Sequence, residues 1–354
     1  MKRKGNLTQE LVSRENVLLA IQEVNRTHRT SRHHKPNRCV LWVERTLEDR
    51  IAELQAILSG EFIPAPARHR TLYDKSSGKV REISEPKLWP DQYVHHALIQ
   101  VISPVIMKSL DYWSCGSIPG RGQMRGIKGI KKWMKCDPKG TKYCAQMDIR
   151  HFYQSLTPAV VMARMERLIK DKHVLDIIRA TLKDGVPIGT YCSQWYANAV
   201  LEPLDKLIRE QDRVFHYVRY MDNLTVFGPN KKKLHRVVRA VNEWLHAHGM
   251  ELKGDWQVFP TDKRMPDAMG FRYGSGWSIP RKRNVLRFKR ACKRVRKKLK
   301  SGKAIPATQA SGIISRIGGF SHSDATNIVR KGIRSIGYLT LRNIVSNAAR
   351  QRNV

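Results

Sequence analysis

Acidic residues are scarce in this chain. Its 354 residues hold 30 Asp and Glu against 66 Lys and Arg, a formal net charge of +36. An enzyme of small neutral substrates has no use for such an excess. A polyanionic partner does, because neutralising phosphates releases counterions and drives binding. A ribosomal-type basic protein and a membrane-surface binder are the competing readings of charge alone. Cysteine is sparse as well. Cys39, Cys115, Cys136, Cys144, Cys192 and Cys292 form no CxxC pair. That removes zinc spacing and a secreted disulfide scaffold, and leaves reduced cytosolic thiols. Long apolar runs are missing too. Lys2, Arg3, Lys4, Glu10, Arg14 and Glu15 interrupt residues 1–18, so no signal-peptide core is expected there, and no run approaches a membrane span. The expectation is a cytoplasmic, soluble protein with no membrane partner. Hydrophobic residues nevertheless make up 41% of the chain, enough for two or three subdomains around a core.

What is present is organised by period. Leu11, Val17, Leu18, Ile21 and Val24 predict a helix over about 8–24. The polar stretch 25–38, with His28, His33 and His34, reads as a solvated loop touching RNA. Leu47, Ile51, Leu54 and Leu58 predict a helix over 46–58. Residues 69–86 read as a hairpin around the turn Asp74-Lys75-Ser76-Ser77-Gly78. A helix over 91–109, a glycine-rich linker over 115–129, a helix ending at Trp133 and a strand ending at Asp148 follow. Further helices are expected over 157–170, begun by Thr157-Pro158, over 171–182, 192–210 and 231–248. A hairpin lies between them at 214–228, and short strands continue to Ile279. From Arg281, 12 of 20 residues are Lys or Arg and none is acidic. This reads as a basic helix in which Val285, Leu286, Phe288, Val295 and Leu299 pack inward. Self-repulsion would weaken it in isolation, and bound phosphates would remove that repulsion. A solvated charged face is the alternative. Ile313, Ile314 and Ile317 give the remaining helices a small core.

Two aspartates carry the chemistry. Asp148 ends an apolar strand, and Asp222 sits between Met221 and Asn223 inside an apolar hairpin. A carboxylate at such a place is costly unless it is paired or binds a metal. Two strands bringing both together would make an oxygen-rich site for Mg²⁺. Two ions about 4 Å apart can activate an attacking hydroxyl and stabilise a leaving pyrophosphate. For either aspartate alone, a turn or helix-cap role is the simpler reading.

At these residues the sequence resembles the reverse-transcriptase family. Residues 146–156, QMDIRHFYQSL, resemble its first catalytic motif, and Tyr220-Met221-Asp222-Asn223 resembles its Tyr-x-Asp-Asp box. Residues 184–189, DGVPIG, with Ser193-Gln194 and Ala197-Asn198, match the motif between them. The resemblance implies an α+β right-hand polymerase with fingers, palm and a mostly helical thumb. Its parts would be an N-terminal helical extension (1–68), fingers (69–140), a palm with interleaved fingers helices (141–280) and a basic helical thumb (281–354). It implies that Asp148 and Asp222 hold two Mg²⁺ ions, with Mn²⁺ as a substitute, aided by the Ile149 carbonyl. Tyr153 would crowd the sugar 2′ side and select deoxynucleotides, with Phe152 as the alternative. Lys79 and Arg81 would grip the incoming triphosphate, a task suited to ammonium and guanidinium groups. Gly189 and Lys253 would also line the nucleotide site. Residues 116–122, GSIPGRG, resemble an intron-type element beside the template, which places Arg121 there with Ile188 and Gln194. Met269-Gly270-Phe271 resembles the primer-grip turn. Arg281, Lys282, Arg283, Arg287, Arg290 and Arg294 would clamp template RNA and the RNA–DNA hybrid by shape.

Two departures from the family pattern matter. Asn223 replaces the second Asp of the box, and an amide supplies no negative charge to a metal. Ile188-Gly189 and Ser193-Gln194 stand where many relatives carry Gln-Gly and Ser-Pro. That variant, with the thumb segment 315–322, resembles reverse transcriptases of diversity-generating retroelements, which copy a template RNA with errors at adenines. The expected function is cDNA synthesis from a cognate RNA with dNTPs, aided by an accessory protein. A bacterial anti-phage defence reverse transcriptase using a non-coding RNA is the first alternative. A catalytically weak RNA-binding protein on a polymerase fold is the second.

Overall fold

In the computed structural model, which describes residues 2–30, 36–74, 78–183, 185–211, 214 and 216–351 apart from the side chains of 74 and 79, Ser13 splits the first predicted helix in two. Its hydroxyl accepts the Asn16 N–H at 3.2 Å, a side-chain cap that starts a new helix. The result is α1 (Thr8–Val12) and α2 (Arg14–His28). Residues 25–28, expected in a solvated loop, are therefore helical. Asn25 is buried and accepts the Tyr93 hydroxyl at 2.6 Å. His33, His34, residues 75–77 and Asp184 lie outside the described residues. Asn37 caps a helix that periodicity did not announce, α3 (Arg38–Arg45).

The chain then runs through α4 (Leu47–Ser59), β1 (Arg68–Asp74), β2 (Lys79–Glu85), α5 (Tyr93–Ser109), α6 (Gly122–Cys136) and β3 (Tyr143–Asp148). Next come α7 (Phe152–Ser155), α8 (Pro158–Leu168), α9 (Lys172–Thr181), α10 (Tyr191–Glu210), β4 (His216–Tyr220) and β5 (Asn223–Gly228). The last third contains α11 (Lys231–Ala247), β6 (Gln257–Pro260), β7 (Asp267–Ala268), β8 (Phe271–Gly274), β9 (Trp277–Pro280) and α12 (Lys282–Lys300). It closes with α13 (Ala307–Phe320), α14 (Thr326–Ile333) and α15 (Tyr338–Arg350). No described helix is long and apolar enough to cross a membrane.

These elements fall into two units. The first comprises Met1–Pro119, Asp148–Asp212 and Val237–Asp255. Its centre is α5, whose residues Val94, Ala97, Leu98, Val101 and Ile102 are buried where it packs against α2 and α10. Each of the Val, Leu and Ile side chains contributes about 1.5–3 kcal/mol on burial. Asp171 fastens the N-terminal extension to this unit. Its carboxylate caps α9 at the Val174 N–H and also accepts Leu7 N–H, Thr8 N–H and the Thr8 hydroxyl at 2.8–2.9 Å. Burial alone would raise its pKa, but these hydrogen bonds outweigh it and hold the group below its ordinary value.

The second unit comprises Gly120–Met147, Arg213–Arg236 and Trp256–Val354. It holds a four-stranded sheet of order β4-β5-β3-β6 and a three-stranded sheet of order β7-β8-β9. The expected glycine linker is shorter than predicted, because α6 begins at Gly122 and takes in Gly126 and Gly129. Gly126 serves close packing: a Cβ there would stand 2.6 Å from Met269 Sδ. In the basic helix α12, the inward face is Phe288, Ala291, Cys292 and Val295, at helical spacing. Leu286 and Leu299, expected to pack inward, are 41% and 38% exposed. Leu286 falls on the far side of α12 from the stripe that meets Ile313, Phe320, Ile336 and Leu341, whereas Leu299 lies on that side but in the last turn of the helix. Gly332 lets α14 press on the Phe288 ring, where a Cβ would lie 2.3 Å from a ring carbon. Asp324, the single acidic residue of 281–354, ties the helices to β9. Its carboxylate accepts Ser278 N–H at 2.8 Å and Lys131 Nζ at 2.7 Å, and the Lys131 bond first of all lowers its pKa.

The centre of α5 also predicts an acid sensitivity. Burial holds His95 and His96 neutral, with pKa values pushed down to about 4 in each case. In the unfolded chain they titrate near 6.5. The unfolded state therefore takes up protons that the folded state refuses between these values. Stability should be full above about pH 6.5 and fall as the pH drops toward 4. Thermal melts across that window check this, and a flat melting temperature would contradict it.

Candidate active site

The strand β3 delivers Asp148 to its C-terminal end, after Cys144, Ala145 and Met147 have turned into the core. Past that point the backbone of 148–150 is held by the segment after α11. Lys253 N–H donates to the Asp148 carbonyl and Arg150 N–H to the Glu251 carbonyl, both at 2.9 Å, and Ile149 bridges Leu252. This short ladder explains the placement of Lys253, whose Nζ forms an ion pair with Asp148 Oδ1. Lys253, expected among the nucleotide ligands, therefore has its ammonium on the first aspartate. Asp148 and Lys253 side chains are both 29% exposed, so the pair is open to incoming groups.

The two aromatics that follow are separated by burial. Phe152 is 4% exposed and belongs to the core, while Tyr153 is half-buried one position further on. His151, at a φ of 44°, turns the chain into α7 and sets that division. Of the two, Tyr153 is the ring with a face available to a ligand.

The middle motif is pinned to the β1–β2 hairpin. Ser84 N–H on β2 donates to the Ile188 carbonyl at 2.8 Å. Gly189 follows at a φ of 118°, where a Cβ would stand 2.4 Å from the Ser84 carbonyl oxygen. Only glycine permits both the conformation and the approach. Thr190 caps α10, and Ser193 Oγ donates to the Pro187 carbonyl at 2.7 Å, closing the turn. Ile188 is half-buried, and Gln194 is exposed on the first turn of α10. Asn198 donates to the Gly116 carbonyl at 2.9 Å and so steadies the start of the 116–122 loop. Arg81 is exposed on β2, and the side chain of Lys79 lies outside the described residues.

In the second unit, β4 and β5 pair Tyr220 with Asn223, so Met221 and Asp222 form a two-residue turn. Met221 has a φ of 57°, a left-handed position that hairpin turns usually give to glycine or asparagine. Asp222 is half-buried, and the Asn223 amide donates to its Oδ1 at 2.8 Å. The strand that this turn begins, β5, is the sheet neighbour of β3, the strand that Asp148 ends. A second tight turn, Met269-Gly270, has φ values of 52° and 87°, and both being positive marks the primed type expected between two paired strands. Between the two hairpins lies a cleft of about 240 Å³, with Tyr220, Asn223, Gln123 and Arg281 on its walls. Arg281 is occupied there. Its Nε pairs with Asp267, and its N–H donates to the Gly270 carbonyl at 3.0 Å. Arg121 is half-buried at the start of α6. Along α12, Lys282, Arg283, Arg290 and Arg294 are exposed and Arg287 is half-buried.

Sequence reasoning missed Arg219. It is fully buried in β4, and a guanidinium nitrogen donates to the Met221 carbonyl at 3.3 Å. The available signal was an arginine inside an otherwise apolar strand. Gln146 was also missed. Its amide bonds the Asp267 backbone in both directions and so fixes β7 to β3. Among the described residues no group of three or more His, Cys, Asp or Glu side chains is arranged to hold a metal. Asp148 in the first unit and Asp222 in the second each offer a carboxylate, a donor type that suits a hard cation keeping water in its shell.

The contact at Gly189 generates a test. Substituting Gly189→Ala should destabilise the protein by about 1–3 kcal/mol, from strained φ and displacement of β2. Urea unfolding measures this, and a change within about 0.5 kcal/mol would show that the turn is not so held.

Three comparisons set this geometry among known proteins. The family model described as reverse transcriptase (RNA-dependent DNA polymerase) matches residues 73–259. The mitochondrial nuclear intron maturase 1 of Arabidopsis thaliana is 29% identical over 110 residues, covering 30% of this chain and 15% of the maturase. An uncharacterized 91 kDa protein in the cob intron of Schizosaccharomyces pombe is 27% identical over 179 residues, 46% of this chain and 21% of that protein. The chain thus spans about a fifth or less of the length of these relatives. Telomerase from Candida albicans, solved in complex with a TWJ fragment of telomeric RNA, superposes with a TM-score of 0.50 at 12% identity. That match covers 80% of this chain and 55% of the telomerase chain, and it shows the fold: α+β, of the right-hand polymerase kind. With the family model matching more than half of its length, the chain belongs to the reverse transcriptase family.

Proposed function

We propose that this protein is an RNA-directed DNA polymerase that copies a cognate RNA into cDNA, with Asp148 and Asp222 as the metal-holding carboxylates. The observation that carries the reading is the position of Asp148: a half-open carboxylate at the end of β3, with a lysine ammonium on it, next in the sheet to the hairpin bearing Asp222. Two carboxylates, the Ile149 carbonyl and substrate phosphates make a donor set suited to Mg²⁺, with Mn²⁺ as a substitute. Bound there, two such ions would activate a primer hydroxyl and stabilise the departing pyrophosphate.

The remaining roles belong to the chain's own groups. Lys253 supplies a positive charge to Asp148 and keeps that carboxylate oriented. Tyr153 stands at the sugar, and its ring excludes a 2′ substituent by size. Lys79 and Arg81 on β2 take phosphate oxygens. The thumb has one carboxylate in 74 positions, and Asp324 already spends it on Ser278 and Lys131. The exposed arginines and lysines of α12 therefore have almost no internal counterions, and nucleic-acid phosphate is the partner that fits. Ile188, whose carbonyl accepts the Ser84 N–H of β2, and Gln194 would face the template. Their resemblance to diversity-generating retroelements supports error-prone copying, assisted by an accessory protein.

A second reading has a specific observation behind it. Asn223 leaves the box one carboxylate short, and both curated relatives are named for introns. On that reading the protein binds a structured RNA and does not copy it.

Substituting Asp222→Ala should abolish dNTP incorporation on an RNA template while leaving RNA affinity near wild type. Tight RNA binding with no Mg²⁺- or Mn²⁺-dependent synthesis in the wild type would favour the second reading. Replacing Arg290 and Arg294 by Ala should weaken RNA binding at every sequence and lower the log–log salt slope by about one unit each. An unchanged slope would remove α12 from the interface. Sequencing the cDNA tests the element type: errors confined to template adenines support a diversity-generating retroelement, and repetitive or homopolymeric product supports the defence type.

A further inference from the structure

The tip of the β4–β5 hairpin is held from both sides. Behind it, buried Arg219 donates to the carbonyl of Met221, the residue whose φ of 57° bends the turn. In front, the Asn223 amide nitrogen donates to Asp222 Oδ1 at 2.8 Å. Tyr220 pairs with Asn223 across the strands, so the base from which the Asn223 side chain reaches is fixed by the ladder. The chemistry of this contact depends on the residue being an amide. Asparagine carries N–H donors, whereas an ionised carboxylate carries none. Aspartate at the same place would lose the bond and set a like charge against the same oxygen.

We infer that Asn223 is a positioning residue for Asp222. The turn is built for a single box carboxylate steered by a neutral donor, and is not a two-carboxylate turn with one acid lost. The inference rests on the polymerase reading above. An amide bond to a carboxylate is charge-assisted and directional, so it selects the Asp222 rotamer before any substrate arrives. It also leaves one negative charge on the turn, whose backbone the buried Arg219 guanidinium holds at the Met221 carbonyl. A second carboxylate would attract cations more strongly and yet remove the donor that orients Asp222. Metal affinity and turnover should therefore move in opposite directions on Asn223→Asp, a split that loss of folding would not produce.

The experiment uses the full chain as wild type, Asn223→Asp and Asn223→Ala. Mn²⁺ binding is followed by electron paramagnetic resonance of the free ion without nucleic acid. Single-dNTP incorporation on an RNA template is followed at saturating Mg²⁺. The Asn223→Asp variant should bind Mn²⁺ at least as tightly as wild type and incorporate about tenfold more slowly, the effect of losing one hydrogen bond to a charged group. Asn223→Ala should be slowed similarly with Mn²⁺ binding near wild type. An Asn223→Asp variant faster than wild type, or an Asn223→Ala variant of unchanged rate, overturns the inference. A second readout needs no catalysis. In metal-free protein labelled with ¹⁵N-asparagine, the Asn223 side-chain amide signals, identified by their loss in Asn223→Ala, should shift when Asp222 is replaced by Ala. Signals that stay in place overturn the inference and leave the polymerase reading intact. Incorporation surviving Asp222→Ala would sink the assignment of Asp222 as a metal-holding carboxylate while the amide shift still stood.

Discussion

Negative charge is in short supply in a chain of formal charge +36, and the placement of each carboxylate governs the structure. Asp171 draws the N-terminal extension onto α9 through Leu7 and Thr8. Asp324 closes the thumb helices onto β9 and α6 through Ser278 and Lys131. Asp137 accepts Gly140 N–H, the larger cause of its lowered pKa, and also meets His216. Asp148 meets Lys253. Each of these carboxylates gathers N–H or ammonium donors from elements far apart in sequence. The basic side chains left over face outward, above all on α12. The excess of positive charge is thus carried at the surface of α12 more than in the core.

Backbone strain follows a similar economy. Met221, His151 and Met269 adopt left-handed conformations without being glycine. All three lie in or beside the motifs that carry the chemistry. Strained φ values of this sort persist where surrounding contacts over-determine them. Arg219 under Met221, Gln123 on the Met269 carbonyl, and the 148–150 ladder after Asp148 supply those contacts. Within each unit these turns are therefore held by hydrogen bonds to backbone as much as by side chains pointing inward.

Much of the fold was legible from periodicity. The hairpins at 68–85 and 216–228, the long helices α5, α10 and α11, and the strand to Asp148 all lie where apolar spacing placed them. The misses have local causes. Ser13 and Asn37 cap helices through side-chain bonds that hydrophobic spacing does not register. Gly126 and Gly129 look like linker residues and are packing residues. Leu286 has the right chemistry for a core and the wrong angle around α12, and Leu299 has the right angle but stands in the last turn of the helix.

By itself the sequence determined the excess of positive charge, the order of the motifs, and which acids stand at a strand end or in a hairpin, because charge and period are properties of a linear string. The resemblance put Tyr153 ahead of Phe152, but that Phe152 is buried and Tyr153 only half-buried depends on how α7 turns after His151. Nor could the sequence show that Lys253 lies on Asp148, that Gly189 is there for the Ser84 carbonyl, or that Arg219 sits beneath the box turn. Those facts depend on contacts between residues up to about a hundred positions apart, and only the folded chain brings such groups within hydrogen-bonding distance.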